Sequence, residues 1–249
     1  MKKIFLIVVI IASLFGCATF ETAIGDFNSA VSGVGSSNSQ GVYFNPMMEF
    51  SVFYATHMLL AGYGFEDDNF RDGEGVTWKV ANVNNGEEIT VKRALLKDMG
   101  NGSSWWQLSS DADGQEQYYE MLIDDDMNIL KARYRDSESN EIKELNLEET
   151  KDSSDTTDDE VEQIEQGSYG EYSVGKETIK TKAGSFKTEH LVIEDDESDD
   201  NDFKHEYWLS DKVPGTCVKY IYNDISENET MTGEVIDIRG GYRTQLESY

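Results

Sequence analysis

The side chains best suited to nucleophilic or metal chemistry are few: two cysteines, Cys17 and Cys217, and three histidines, His57, His190 and His205. A transition-metal site needs imidazole, thiolate or carboxylate ligands at a recognisable spacing or gathered by the fold. His57 stands beside Met58 in an apolar stretch, which reads as a half-buried helix position. His190 and His205 flank an acidic run and so fall on neighbouring strands, but their spacing is no metal motif. Asp111-Ala112-Asp113-Gly114 brings its glycine two positions too early for an EF-hand calcium loop, and residues 199–202 contain none. There is no Gly-x-Ser-x-Gly element, phosphate-binding glycine loop or His-Glu-x-x-His run. Among 49 acidic residues no pair stands out for glycosidase chemistry. No residue is assigned a catalytic role, no cofactor or metal is expected, and the chain reads as a non-enzyme.

The other chemistry open to a cysteine is acylation. Lys2 and Lys3 form a basic start, followed by the apolar run Ile4 to Phe15. That run is too short to span a bilayer, which takes roughly 20 apolar residues, and it suits a secretory leader. It ends Leu14-Phe15-Gly16-Cys17, which resembles the bacterial lipobox: an aliphatic residue, two further residues of which the second is small, then cysteine. Phe15 is bulkier than usual, a departure that spirochaete-type lipoboxes tolerate. The resemblance implies diacylglyceryl transfer to the Cys17 thiol, cleavage after Gly16 and acylation of the new amino terminus. With Ala18 rather than aspartate next, it implies the outer membrane, facing periplasm or surface. Cys217 is then left without a partner, and an unpaired thiol persists best where it is buried.

Charge narrows the partners. Lys and Arg number 21 against 49 Asp and Glu, a net −28, and no basic cluster is present to hold nucleic-acid phosphates. Half of this charge sits in two stretches: 148–165, with nine acids and one lysine, and 194–202, with seven acids and no base. Both carry few apolar residues and read as solvated loops. Aromatic residues at 11% mark the remainder as globular rather than disordered.

These residues must be positioned by a largely β framework. Residues 1–16 read as the leader, 17–41 as the lipidated cysteine with a Gly/Ser-rich tether, and 42–249 as a single β-rich domain. Asn45-Pro46 signals a helix start, and Met47 to Leu60 is apolar over more than one stripe, so a buried helix is expected there. Eleven short β-type runs follow, at 76–83, 88–97, 103–110, 116–124, 128–136, 141–147, 172–183, 185–194, 203–211, 217–224 and 233–240. They are expected to form a meander. In 116–124, Gln117, Tyr119, Met121 and Ile123 share one side. In 128–136, Leu130, Ala132 and Tyr134 oppose Lys131, Arg133 and Arg135. The expected class is mainly β (α+β): a curved antiparallel sheet or partial barrel of about ten strands packed on one N-terminal helix.

Three local patterns carry a further resemblance. They are Arg93-Ala94-Leu95-Leu96 with Ser104-Trp105-Trp106 and Tyr118-Tyr119-Glu120; Ala183-Gly184-Ser185-Phe186-Lys187-Thr188 with His190; and Tyr207-Trp208-Leu209-Ser210-Asp211-Lys212-Val213-Pro214-Gly215 with Val218-Lys219-Tyr220. Together they resemble a group of uncharacterised bacterial envelope lipoproteins. The order of elements is also similar to the lipoprotein-carrier half-barrel, which implies binding of lipid chains or hydrophobic polypeptide segments. On the residues alone, the tryptophans serve either as core or as the wall of a ligand site.

The expected function is that of a non-enzymatic, lipid-anchored envelope protein holding a hydrophobic ligand or acyl chain in the curved sheet. Phe50, Tyr54, Met58, Trp105, Trp106 and Trp208 are the candidate lining residues, and Cys17 the lipidation site. The alternative is a structural or protein-interaction lipoprotein with a filled core and an acidic surface for partners or cations. The expected partners are the membrane, through the anchor, and an apolar ligand or another envelope protein, with no nucleic acid.

Overall fold

The structure is a computed structural model, in which residues 69–112, 114–125, 128–136, 139–145, 170, 172–195, 203–225 and 228–249 are described. The expected helix over 47–60, with Phe50, Tyr54 and Met58, lies outside the described residues, as do Cys17 and nearly all of both acidic stretches.

Among the described residues eleven strands form: β1 (Gly75–Asn82), β2 (Glu88–Asp98), β3 (Ser103–Ala112), β4 (Gln115–Asp124), β5 (Ile129–Arg135), β6 (Ile142–Glu144), β7 (Ser173–Thr181), β8 (Gly184–Asp195), β9 (Phe203–Leu209), β10 (Cys217–Asp224) and β11 (Glu229–Arg239). All join one open antiparallel sheet in the order β6-β5-β4-β3-β2-β1-β11-β10-β9-β8-β7. This differs from a single meander. The described strands begin mid-sheet at β1, step outward to the edge strand β6, resume at the opposite edge with β7, and step back until β11 lies beside β1. The crossover is the first acidic stretch. The half made of β7 to β11 curls far enough for β7 to approach β11.

Turn chemistry sets the hairpins. Gly86 and Gly114 take positive φ (80° and 81°) at the β1–β2 and β3–β4 turns, where a side chain would be strained. Val213-Pro214-Gly215 turns the chain between β9 and β10, with Gly215 at φ 76° and the Thr216 N–H donating to the Val213 carbonyl at 2.8 Å. The Asn69 side chain holds this turn from outside: its amide donates to the Val213 carbonyl at 2.9 Å and its carbonyl accepts from the Gly215 N–H at 2.7 Å. Phe70, the next residue, is buried edge-on against Trp106 at 5.0 Å.

Alternation gives the sheet one apolar face, here called the core face. Register runs Val80, Gly233, Tyr220, Tyr207 and Leu191 across five strands of one half. In the other half it runs Leu95, Trp106, Met121 and Ala132. Gly233 is required by close approach, because a Cβ there would stand 2.2 Å from the Tyr220 ring. Tyr220 therefore fills the space a side chain on β11 would take.

Candidate functional site on the core face

The rows of the core face run from apolar to mixed as they approach the turn end of β3 and β4. Trp106 pairs with Met121, Leu108 with Tyr119, and Ser110 with Gln117, one row after another along the two strands. Trp78, Leu108, Met121, Leu191 and Tyr220 are all fully buried. Each large side chain so buried contributes roughly 1.5–3 kcal/mol. On the β10 side, Tyr220 stacks on Tyr222 at 4.5 Å and Tyr207 meets Tyr222 edge-on at 5.7 Å. Burial pushes the phenols of Tyr207, Tyr220 and Tyr222 above the ordinary value, so this aromatic patch stays neutral.

Cys217 lies beside that patch, free and fully buried. Its thiol donates weakly to the Lys219 carbonyl at 3.7 Å, and burial pushes its pKa up to about 12. A thiol held neutral in this way is a poor nucleophile.

The three tryptophans proposed as lining do not share a face. Trp106 is on the core face, with the Arg93 guanidinium 4.8 Å over its ring. Trp105 is its neighbour on a regular strand and so points to the opposite, outer face. There it packs against Tyr249 at 6.4 Å, and Arg133 lies 4.1 Å over its ring. Trp208 likewise projects opposite Tyr207. It sits in register between His190, stacked at 4.3 Å, and Lys219, at 4.6 Å over the ring, and its indole N–H donates to Glu177 at 2.6 Å. Of these three tryptophans, Trp106 alone lies on the core face.

His190 and His205 do fall on adjacent strands, but again on opposite faces. His190 is 2.9 Å from Glu206 and 3.4 Å from Glu177, whereas His205 joins the tyrosines at 4.8 Å from Tyr222. Among the described residues no group of three or more His, Cys, Asp or Glu is placed to hold a metal.

No protein-family model matches this chain, and no curated protein matches it. Among solved structures it is similar to a candidate lipoprotein from Parabacteroides distasonis, at 8% identity over 69% of this chain and 98% of that one, with a TM-score of 0.36. It is also similar to the Pseudomonas aeruginosa MucA/MucB complex, at 12% identity over 76% of this chain and 58% of that one, TM-score 0.42. A candidate outer-membrane lipoprotein-sorting protein domain from Vibrio parahaemolyticus matches at 10% identity over 72% of this chain and 90% of that one, TM-score 0.29.

The outer face holds a buried ion pair. Glu120 and Arg133 stand in register on β4 and β5, with side chains 0% and 6% exposed. Arg133 donates to Glu120 Oε2 through Nε at 3.1 Å and Nη2 at 2.7 Å. Glu120 also accepts from the Tyr118 hydroxyl at 2.7 Å, the Thr244 hydroxyl at 2.8 Å and the Gln245 N–H at 2.7 Å. Arg133 donates onward to the carbonyls of Glu247 (2.9 Å) and Ser248 (3.2 Å). Segment 243–249 is thereby strapped over Trp105 and the outer face of β3 to β5. Charges paired on facing strands were readable from the β4–β5 hairpin. The strap was not, because it comes from more than 100 residues further along the chain.

Proposed function

We propose that this protein is a non-enzymatic, lipid-anchored component of the bacterial cell envelope that holds an apolar chain, from a lipid or an acyl group, against the core face of its sheet. The observation that carries the reading is architectural. All described strands lie in one sheet, and its core face is apolar from Leu191 to Ala132. An apolar sheet face needs a second layer or an occupant over it. Phe70, next to the first residue of the described chain, lies on that face against Trp106. The leader and Cys17 supply the anchor, and three acyl chains, each buried methylene contributing about 0.8 kcal/mol, hold it in the membrane.

The test is native mass spectrometry of the full chain purified from an envelope extract, combined with displacement of a fluorescent acyl probe. Co-purifying lipid and saturable displacement at micromolar concentration are expected. Absence of both favours the interaction lipoprotein whose core is filled by its own chain. Anchoring is checked separately: Cys17→Ser is expected to abolish palmitate incorporation, and equal labelling of the variant refutes the anchor.

A further inference from the structure

Lysines pair readily in a chain with 49 acidic and 21 basic residues, and elsewhere on the sheet they do so: Lys79 with Glu88, Lys131 with Glu144, Lys143 with Asp136 and Lys204 with Glu194. The β7–β8 hairpin departs from this. Lys176, Lys180, Lys182 and Lys187 are all exposed, and none forms an ion pair or side-chain hydrogen bond with another described residue. Residues 178–188 contain three of these lysines and no Asp or Glu. Register gathers them. Thr178 faces Lys187, Lys180 faces Ser185 and Lys176 faces Glu189, so Lys176, Lys180 and Lys187 share one side of the hairpin. Lys182 stands in the turn at the tip. Glu177 is on the other side, where His190 and the Trp208 indole engage it.

Strand direction fixes the end of the sheet at which this tip stands. β1 begins at the end where Asn69 holds the β9–β10 turn, and antiparallel pairing brings the ends of β2, β4, β7, β9 and β11 back to it. The connections at the far end, 83–87, 113–114, 136–141, 196–202 and 225–228, hold eleven acidic residues and no Lys or Arg. The near end is mixed. Lys212 and Arg243 stand there, exposed and likewise unpaired with described residues. Of the acids at this end, Asp211 adjoins Lys212, Asp72 and Glu74 precede β1, and Asp98, Asp124 and Asp125 belong to the β2–β5 half. Strands of 8 to 12 residues separate the two ends by about 26–40 Å. That is several times the roughly 8 Å over which physiological salt screens a charge. The far acids therefore do not cancel the field at the hairpin tip.

We propose that the tip of the β7–β8 hairpin docks on an anionic lipid surface, with Lys176, Lys180, Lys182 and Lys187 against the headgroup phosphates. This rests on the envelope reading above only for the presence of such a surface, and it adds which part of the domain faces it. An ammonium group is a hydrated point charge on a flexible stem, which suits a fluid array of headgroups better than one bidentate partner. Each lysine beside an anionic leaflet is worth about fivefold in affinity, so four act as a patch. Docked in this way, the domain turns its acidic connections away from the leaflet, which like-charge repulsion also favours.

The experiment follows co-sedimentation of the full chain carrying Cys17→Ser, so that no acyl chain takes part, with vesicles of phosphatidylcholine alone or mixed equally with phosphatidylglycerol. This parent is expected to bind the mixed vesicles about tenfold or more tightly at about 0.05 M salt, and to lose that preference at about 0.5 M. Joint replacement by Lys176→Gln, Lys180→Gln, Lys182→Gln and Lys187→Gln is expected to weaken binding to mixed vesicles about tenfold or more, with melting temperature and binding to neutral vesicles unchanged. A control with Lys79→Gln, Lys131→Gln, Lys143→Gln and Lys204→Gln alters net charge equally and is expected to lose no more than about twofold. Equal loss in both variants would reduce the effect to net charge and overturn the hairpin's role. Equal binding of the parent to both kinds of vesicle overturns the proposal outright. If the hairpin variant self-associates while its lipid binding stays intact, the lysines serve to keep the edge strand β7 unpaired, and the proposal fails. None of these failures touches the anchor or the apolar ligand, which palmitate labelling and mass spectrometry read separately.

Discussion

At the scale of single residues, the core face is built from groups whose protons are held by burial. Cys217 is the clearest, its pKa raised from 9.0 to about 12, and Tyr207, Tyr220 and Tyr222 are raised for the same reason. The sign of the linkage follows directly. Between pH 9 and 12 the unfolded thiol loses its proton while the folded one keeps it, and the phenols repeat this at higher pH. The folded state then binds more protons, so its stability is complete below the unfolded pKa and falls as pH rises through this window. The urea midpoint is expected to be flat from pH 7 to 8.5 and to fall steeply above pH 9. Thiol reagent is expected to react with Cys217 only as the protein unfolds. Fast reaction in native buffer at pH 8 would mean that the thiol is open to solvent and the argument fails.

At the scale of elements, the Glu120–Arg133 pair joins two strands to a strap. Removing one partner of a buried pair leaves the other uncompensated, which costs about 3–5 kcal/mol, whereas replacing both by apolar residues is often near neutral. Arg133→Leu is expected to lower unfolding free energy by that amount and to release amide exchange in 243–249. The double change Glu120→Leu with Arg133→Leu is expected to recover much of the stability but not the strap. A loss below about 1 kcal/mol for the single variant would show the pair to be solvated. The same region shows what the sequence made legible. Strand positions were readable because Val, Ile, Tyr and Trp runs are punctuated by Asn-Gly, Asp-Gly and Pro-Gly turns. Alternation in β4 put Tyr119, Met121 and Ile123 on one side of the strand, and all three are found in the core. Alternation set Arg133 opposite Ala132 and Tyr134 but knows only neighbours, and the cover of Arg133 comes from Thr244 and Glu247. Trp105 and Trp106 were grouped as one lining although adjacent strand residues must diverge. Pairing of β1 with β11 joins the two ends of the described chain, and no local pattern encodes such a contact.

At the scale of the whole molecule, the topology gives the first acidic stretch a mechanical task. It connects β6 to β7, which are the two opposite edges of an eleven-stranded sheet. At about 4.8 Å between strands, a flat sheet of this size is roughly 48 Å from edge to edge. The connection between Glu144 and Ser173 reaches about 100 Å when fully extended, which leaves ample slack. Deleting residues 150–164 outright cuts that reach to roughly the flat width, about 48 Å, so any remaining tolerance has to come from curl of the sheet. Length and charge therefore separate experimentally. A length-matched Gly-Ser replacement of 150–164 removes like-charge repulsion without tightening the crossover. Its melting temperature is expected to equal that of the parent at physiological salt and to exceed it at low salt, where screening is weak. Outright deletion is expected to lower the melting temperature at every salt concentration, because the crossover then pulls on β6, an edge strand of only three residues. If the length-matched chain melts well below the parent, the acidic residues contribute contacts or hold a cation, and the solvated-loop reading of this stretch is wrong. If the deletion melts like the parent, the two edges lie much closer together than the flat width, and the sheet is curled nearly into a barrel.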